Sequence, residues 1–411
     1  MGIARSMTSR GRLATAGVLA ILGLVTALVA GCSSGPPSAS ANSGNGDNAQ
    51  AESTEARPKA KPVTLAVAPA DQTAAFAPGE PVTVTATDGT LTTVNLLNPD
   101  GVAVAGALGP NGQTWSSTEA LGYGKTYTLT ANGTGADGTT ATATSTFTTV
   151  KPRTLTYPSM NPLEGQIVGV GQPLAIYFDE AITNKKAAEA AITVQTAPKV
   201  DGAFYWFSDK EVHWRPQTYW APGTQVIADI KIYGKDLGNG IYGQEDRRIS
   251  FAVGDAFVAE ADGVSHQVVV KVNGAVVKTM PTAMGKPSAP TSTGVHVVTD
   301  KHPKKIMDSS SYGVPVDSPD GYRTEVDWAV RISNSGIFTH SAPWSLGDQG
   351  HRNVSHGCLN LSPENAKWFY DNSKKGDIVV ITNSGGPALR SYDGFGDWNV
   401  PWSEWLAGGK K

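Results

Sequence analysis

The chain opens with an apolar run, passes through a polar stretch, and only then settles into alternation. Leu13 to Ala30 is apolar apart from small residues and threonine, and it follows a start carrying Arg5, Arg10 and Arg12. A positive start, an apolar centre and small residues before a cleavage point define an export signal over residues 1–32. Eighteen such residues are also just enough to span a bilayer as an uncleaved helix. Residues 33–60 hold no large apolar side chain. Nothing there offsets the entropy of ordering, so a flexible linker is expected, with a typical reach of roughly 30 Å.

From Lys61 to about Val150 short runs such as TLAVAPA, PVTVTAT, TYTLTA and TATATSTFTT alternate small or β-branched residues, with Gly, Pro and Asn turns between them. Repeated short strands of this kind predict a sandwich. Leu, Ile and Phe are scarce here, which leaves Trp115 as the large filler of a small core. From Lys151 to about Val253 the plan recurs. Gly79-Glu80-Pro81-Val82 parallels Gly171-Gln172-Pro173-Leu174, Gly124 to Leu129 parallels Gly223 to Ala228, and TSTFTTV parallels RRISFAV. Two modules, 61–150 and 151–253, follow, with one short helical stretch at Asn184 to Ala191. No catalytic cluster falls in either, so spacing is their expected task, and binding through exposed aromatics is the alternative.

A third region spans 254–382. HQVVVKVNGAVVKTM carries two alternating runs around Asn273-Gly274, a hairpin signal. GVHVVTD, DWAVRIS and GDIVVIT read as strands, and PENAKWFYDNS reads as a helix with Pro363 in its first turn. Lys304 to Arg331 is rich in Ser, Gly, Pro and Asp, as suits a covering loop anchored by strands at its ends. The remaining stretch, 383–411, carries Trp398, Trp402 and Trp405. Three tryptophans imply that it folds back onto another part of the chain, the second module being the expected surface.

Composition changes this picture in two places. A formal net charge of -3 gives no broad basic surface, so no nucleic-acid partner is expected. There are only two cysteines, Cys32 and Cys358. LVAGC resembles a bacterial lipobox, and the resemblance implies cleavage before Cys32 and a diacylglyceryl group on its sulfur. The protein would then sit on the outer face of the cell membrane, and Cys358 would have no intrachain partner. An unpaired cysteine in an exported chain is either a small buried hydrophobe or a nucleophile.

Its neighbours favour the second. Phe338-Thr339-His340-Ser341-Ala342-Pro343-Trp344 and Ser355-His356-Gly357-Cys358-Leu359-Asn360 bring histidines to the lone thiol. An imidazole can draw the thiol proton and pair with the anion. No acid lies beside His340, and nothing marks Asp348 as its orienter, so a backbone carbonyl near Ser341 is the expected third group. Gly357 permits the dihedrals and close approach that an oxyanion site requires. His340, His351, His356 and Cys358 also offer zinc ligands, but their spacing matches no compact zinc signature. No metal or cofactor is expected. Trp344 reads as a pocket wall or a core residue, and Trp328 as core.

HSAPW followed by SHGCLN resembles the signature of the L,D-transpeptidases, the YkuD family, and the likeness extends through MDSSSYGVPVDSPDGYRTEVDW and GDWNVPWSEW. It implies a mainly β chain: two immunoglobulin-like β-sandwich modules, then a YkuD-type β-sandwich catalytic domain with a short helix. It implies a thioester on Cys358, with His340 as base and Ser341 orienting it by its carbonyl. His356 and Gly357 would surround the oxyanion pocket. Tyr322, Met307, Trp344, Ser355 and Asn360 would contact substrate, although a core methionine would look the same as Met307. The implied reaction is a 3→3 cross-link between meso-diaminopimelate residues of peptidoglycan stem peptides, donor and acceptor, and a carbapenem would acylate the same thiol. L,D-carboxypeptidase action, attachment of stems to an envelope protein and non-catalytic peptidoglycan binding remain as alternatives.

Overall fold

In the computed structural model, residues 61–319 and 321–410 are described. The expected signal, the linker and Cys32 lie outside them.

Alternation builds the first sandwich as the pattern predicts. Strand Thr126–Gly135 turns Tyr127, Leu129 and Ala131 inward. They meet Trp115 from the facing sheet and Phe147 from the neighbouring strand, and Tyr127 stacks on Phe147 at 5.8 Å. Strands Thr64–Ala68, Thr83–Thr87, Thr114–Ser117 and Gly106–Leu108 form one sheet in that order, and Gly89–Leu97, Thr126–Gly135 and Thr140–Thr148 form the other.

The second sandwich repeats the first sheet's order strand for strand and adds one strand to the other sheet. Pro158–Asn161, Leu174–Phe178, Glu211–Pro216 and Gly202–Trp206 make one sheet, and Ile192–Ala197, Gln225–Ile230, Arg247–Val253 and Ile167–Val168 make the other. The weak sequence repeat therefore marks equivalent strands: Thr126–Gly135 pairs antiparallel with Thr140–Thr148 as Gln225–Ile230 does with Arg247–Val253. A helix at Lys185–Ala190 is capped by the Asn184 side chain, which accepts from the Ala187 N–H at 3.2 Å.

The third region stacks two sheets around the core of Phe257, Val270, Met284, Leu359, Phe369 and Val379. One sheet runs Ala275–Pro281, Gln267–Val272, Phe257–Asp262, Ile378–Thr382, Gly294–Val297; the other runs Asp300–Asp308, Arg323–Arg331, Phe338–Ser341, Leu359–Leu361. Helix Pro363–Asn372 buries Ala366 and Phe369. The Asn273-Gly274 hairpin forms, with both residues at positive φ. Strands reach further into the stretch 304–331 than its composition suggests, pairing Asp308 with Arg323. Only a short connection beyond Asp308 remains, closed where the Tyr322 N–H donates to Ser309 Oγ at 2.9 Å. Trp328 is half-buried rather than core: it sits at φ 56°, which breaks the strand's alternation, and it packs on Tyr370.

Backbone contacts join the second sandwich to the third region. The N–H of Gly169 donates to Lys375 O at 2.7 Å and that of Gly171 to Gly376 O at 2.8 Å. A Cβ on Gly169 would stand 2.2 Å from the Asp377 nitrogen, so only glycine fits.

The tryptophan-bearing tail folds onto the second sandwich. Trp405 is fully buried, stacks on Tyr205 at 4.8 Å and donates from Nε1 to Ala203 O at 2.8 Å. The Arg215 guanidinium lies 4.1 Å from the Trp405 ring and donates to Val400 O. Lys410 and Gly408 exchange backbone hydrogen bonds with Trp206, which covers an otherwise open strand edge. Beneath them Asp397 meets His213 at 2.7 Å, both buried. Burial opposes a charged His213, but the Asp397 and Glu211 carboxylates outweigh it and raise the imidazole to about 9. Trp405→Ala should cost ~3–5 kcal/mol, read as a lower midpoint in urea unfolding.

Candidate active site

Two adjacent strands carry the chemistry. Thr339-His340-Ser341 runs parallel to Leu359-Asn360-Leu361, with His340 beside Asn360. Alternation along each strand then sets Phe338, His340, Cys358 and Asn360 on one face. His340 and Cys358 both line a cavity of about 380 Å³, together with Met307, Tyr322, Trp344, Ser355 and His356. His351 is not among its lining residues.

The histidine is held by the backbone. His340 Nδ1 donates to its neighbour's carbonyl, Ser341 O, at 2.9 Å. That fixes Nδ1 as the protonated nitrogen and leaves the Nε2 lone pair to take a proton. No carboxylate is needed, and Asp348 is instead paired with Arg352.

The Ser355–Cys358 turn is braced from within. Ser355 Oγ donates to Cys358 O at 2.6 Å and accepts from the Gly357 N–H at 3.1 Å. Thr291 Oγ1 donates to Gly357 O at 2.9 Å. Gly357 has φ +124°, while a Cβ there would meet open space. Its need is therefore conformational, and the close approach expected at this position is absent. The Gly357 N–H is engaged by Ser355 Oγ, which leaves the backbone N–H of Cys358 as the neighbouring donor of the turn.

The remaining predicted contacts divide between walls and braces. Met307 packs with Val326, Ala329, Phe338 and Cys358 in a small cluster covered by Tyr322. Tyr322 lies 5.0 Å from the His356 ring, ring centre to ring centre. Trp344 is 59% exposed, so it is a wall and not core. Asn360 lines the cavity, but its amide donates to Ser345 Oγ at 3.1 Å. Sequence reasoning missed Lys286, whose ammonium stands 3.2 Å from His356 Nε2, because it lies seventy residues away.

Burial sets the protonation states. It pushes the Cys358 thiol up to about 11, against the Phe338 N–H and the Arg331 charge, which lower it. Burial also holds His340 below the ordinary imidazole value, opposed by the Ser341 carbonyl. At neutral pH the pair rests as thiol and neutral imidazole. The ion pair suggested by the residue types is not the resting state, because both groups are out of water. The Sγ–H points to Gly336 O at 3.6 Å. An acylation that uses His340 as its base would hold its rate through neutral pH and fall only as pH drops through the depressed imidazole value, below 6.5. A pH series of β-lactam opening checks this; a fall beginning at pH 8 would contradict it.

No group of three or more metal-ligating side chains occurs among the described residues. The bacterial Ig domain family matches residues 73–236, a span that crosses residue 150, and the L,D-transpeptidase catalytic domain family matches 257–381. L,D-transpeptidase 2 of Mycobacterium tuberculosis (strain CDC 1551 / Oshkosh) is 53% identical over 331 residues, covering 80% of this chain and 81% of that one. L,D-transpeptidase 5 of M. tuberculosis (strain ATCC 25618 / H37Rv) is 37% identical over 360 residues, covering 86% and 78%. A solved structure of the LD transpeptidase LdtMt1 in complex with imipenem is 38% identical and covers 55% of this chain and 97% of that one, with a TM-score of 0.49.

Proposed function

The chain belongs to the L,D-transpeptidase family, a cysteine-dependent acyltransferase family, and from that premise we propose that Cys358 and His340 carry out 3→3 cross-linking of peptidoglycan. The Cys358 thiol gives its proton to His340 Nε2 as Sγ attacks the carbonyl at the L-centre of meso-diaminopimelate, stem position three. The oxyanion is met by the Cys358 N–H. The C–N bond to the terminal D-alanine breaks, and His340 returns the proton to the leaving amine. A diaminopimelate side-chain amine of a second stem then attacks the thioester, giving its proton to His340 and freeing the thiol.

One observation carries this reading: a buried thiol and an imidazole fixed in the accepting tautomer share one cavity. Ser341 orients His340; Ser355, His356 and Gly357 shape the oxyanion side. Met307, Tyr322 and Trp344 hold the stem against the thiol, with Asn360 bracing the floor. Closure by the hairpin that carries Met307 and Tyr322 keeps water from the thioester. A carbapenem, whose strained amide presents a similar carbonyl, acylates Cys358 by ring opening.

The rest of the chain serves placement. The proposed division is 61–150 and 151–253 for the two immunoglobulin-like modules, 254–382 for catalysis and 383–411 for the tail. They stand outside the cytoplasm, tethered by 33–60 to a lipidated Cys32 or an uncleaved anchor in 1–32. The test is incubation of the purified chain with disaccharide-tetrapeptide and mass analysis of products. A dimer lacking one D-alanine is expected. Release of D-alanine without dimer would make the chain a carboxypeptidase, and no D-alanine at all would sink the proposal.

A further inference from the structure

Arg331 lies across the ladder from Phe338, which is two residues along the strand from His340, and nothing in the family signature includes it. It pairs in register with Phe338 across the antiparallel ladder, and Phe338 packs in one buried cluster with Cys358. Opposed residues of paired strands project to the same face, so Arg331 and Phe338 share a face, with Cys358 packed against Phe338. The guanidinium lies 4.3 Å from the Phe338 ring centre, and its Nη1 donates to Ser333 O at 3.1 Å, which fixes its plane. It lines a second cavity, of about 360 Å³, with Met307, Tyr322, Gly336 and Phe338. Gly336 is the residue whose carbonyl holds the Cys358 Sγ–H, so the thiol reaches toward the wall between the two cavities.

The surrounding charges make this cation distinct. In the first cavity His356 carries the Lys286 ammonium against it, and Asp348 is answered by Arg352. On the hairpin side Asp308 is answered by Arg323 at 3.4 Å, and Lys305 is a further cation. Among the described residues no carboxylate stands within ion-pair distance of Arg331. Its charge is therefore not cancelled locally, and it is half-buried, where screening is weak.

We propose that Arg331 is a positioning residue that stabilises the Cys358 thiolate through space, from the Phe338 side, during its formation. It rests on the reading of Cys358 as the attacking atom. Proton transfer to neutral His340 forms the thiolate and the imidazolium together, and Arg331 adds a second positive charge that does not depend on the transfer. The Arg331 charge is present throughout, and its stacked, hydrogen-bonded guanidinium needs no rearrangement. Removing it leaves the base, the tautomer and the turn unchanged and makes the thiol harder to ionise.

The test follows alkylation of Cys358 by iodoacetamide across pH 6–11 in the intact chain, read by mass mapping of the Cys358 peptide. Arg331→Gln should move the midpoint up by about one unit, slowing alkylation roughly tenfold at every pH up to about 10, with the deficit narrowing only as pH approaches 11 and above. Arg331→Lys should stay near wild type, and Arg331→Met, which keeps the packing on Phe338, should behave as Arg331→Gln. Superimposable profiles, or an Arg331→Lys variant as slow as Arg331→Gln, would overturn the role. Failure of both neutral variants to fold would overturn it too, by making Arg331 a packing residue. An unchanged midpoint leaves the Cys358 chemistry standing. A shifted midpoint without transfer from tetrapeptide keeps the Arg331 role and sinks the transpeptidase reading.

Discussion

Cys358→Ala should fold and transfer nothing. The substitution removes one sulfur from a site that is 9% exposed, in a small cluster with Met307, Val326, Ala329 and Phe338. The lost packing is worth about 1 kcal/mol, too little to unfold three linked sandwiches. The chemical loss is far larger. Without Sγ there is no thioester, and loss of a nucleophile leaves only the residual ~10³–10⁴-fold advantage that binding and oxyanion donors give over water. Product formation from tetrapeptide, and the mass gain with a carbapenem, should both vanish while the unfolding curve stays close to wild type. Product at the wild-type rate would remove Cys358 from the mechanism.

His340→Gln should slow acylation by ~10²–10⁴-fold at neutral pH. The glutamine amide can still donate to Ser341 O, which holds the site together, but its other end cannot accept a proton. Because burial holds the thiol near 11, general-base help is needed across the neutral range. The deficit should therefore shrink as pH approaches 11, where the thiolate forms without a base. That convergence separates a proton acceptor from a residue that merely shapes the cavity. A deficit of the same size at pH 7 and pH 10.5 would contradict the assignment.

Much of this architecture is visible in the alternation. Strands such as Thr126–Gly135 and Gln267–Val272 have one buried face, and the period-two pattern reports it directly. The repeat was faint in sequence because only turn and strand-entry residues match, yet those residues set which strands pair. Gly89–Leu97 escaped notice because its register shifts between Leu91 and Thr93, which moves the inward positions out of phase. Much of Asp300–Asp308 is exposed, so its composition resembles a loop in part.

The candidate site divides similarly. His340 and Cys358 sit in short, distinctive segments, and the family resemblance marked them. Ser341 acts through a carbonyl, which every residue has, so its identity carries no signal. Arg331 and Lys286 come from segments whose proximity depends on strand order. The neutral resting pair was beyond reach for another reason: residue types predict partners, but the balance between burial and pairing is a property of the folded surroundings.

The most direct measurement is a rapid quench of the chain with tetrapeptide donor alone, in acid, followed by peptide mapping. The account predicts one transient acyl mass, equal to the donor less D-alanine, on the peptide containing Cys358, discharged when an amine acceptor is added. Product accumulation with no acyl mass on that peptide, or with the acyl group on any other residue, would contradict it.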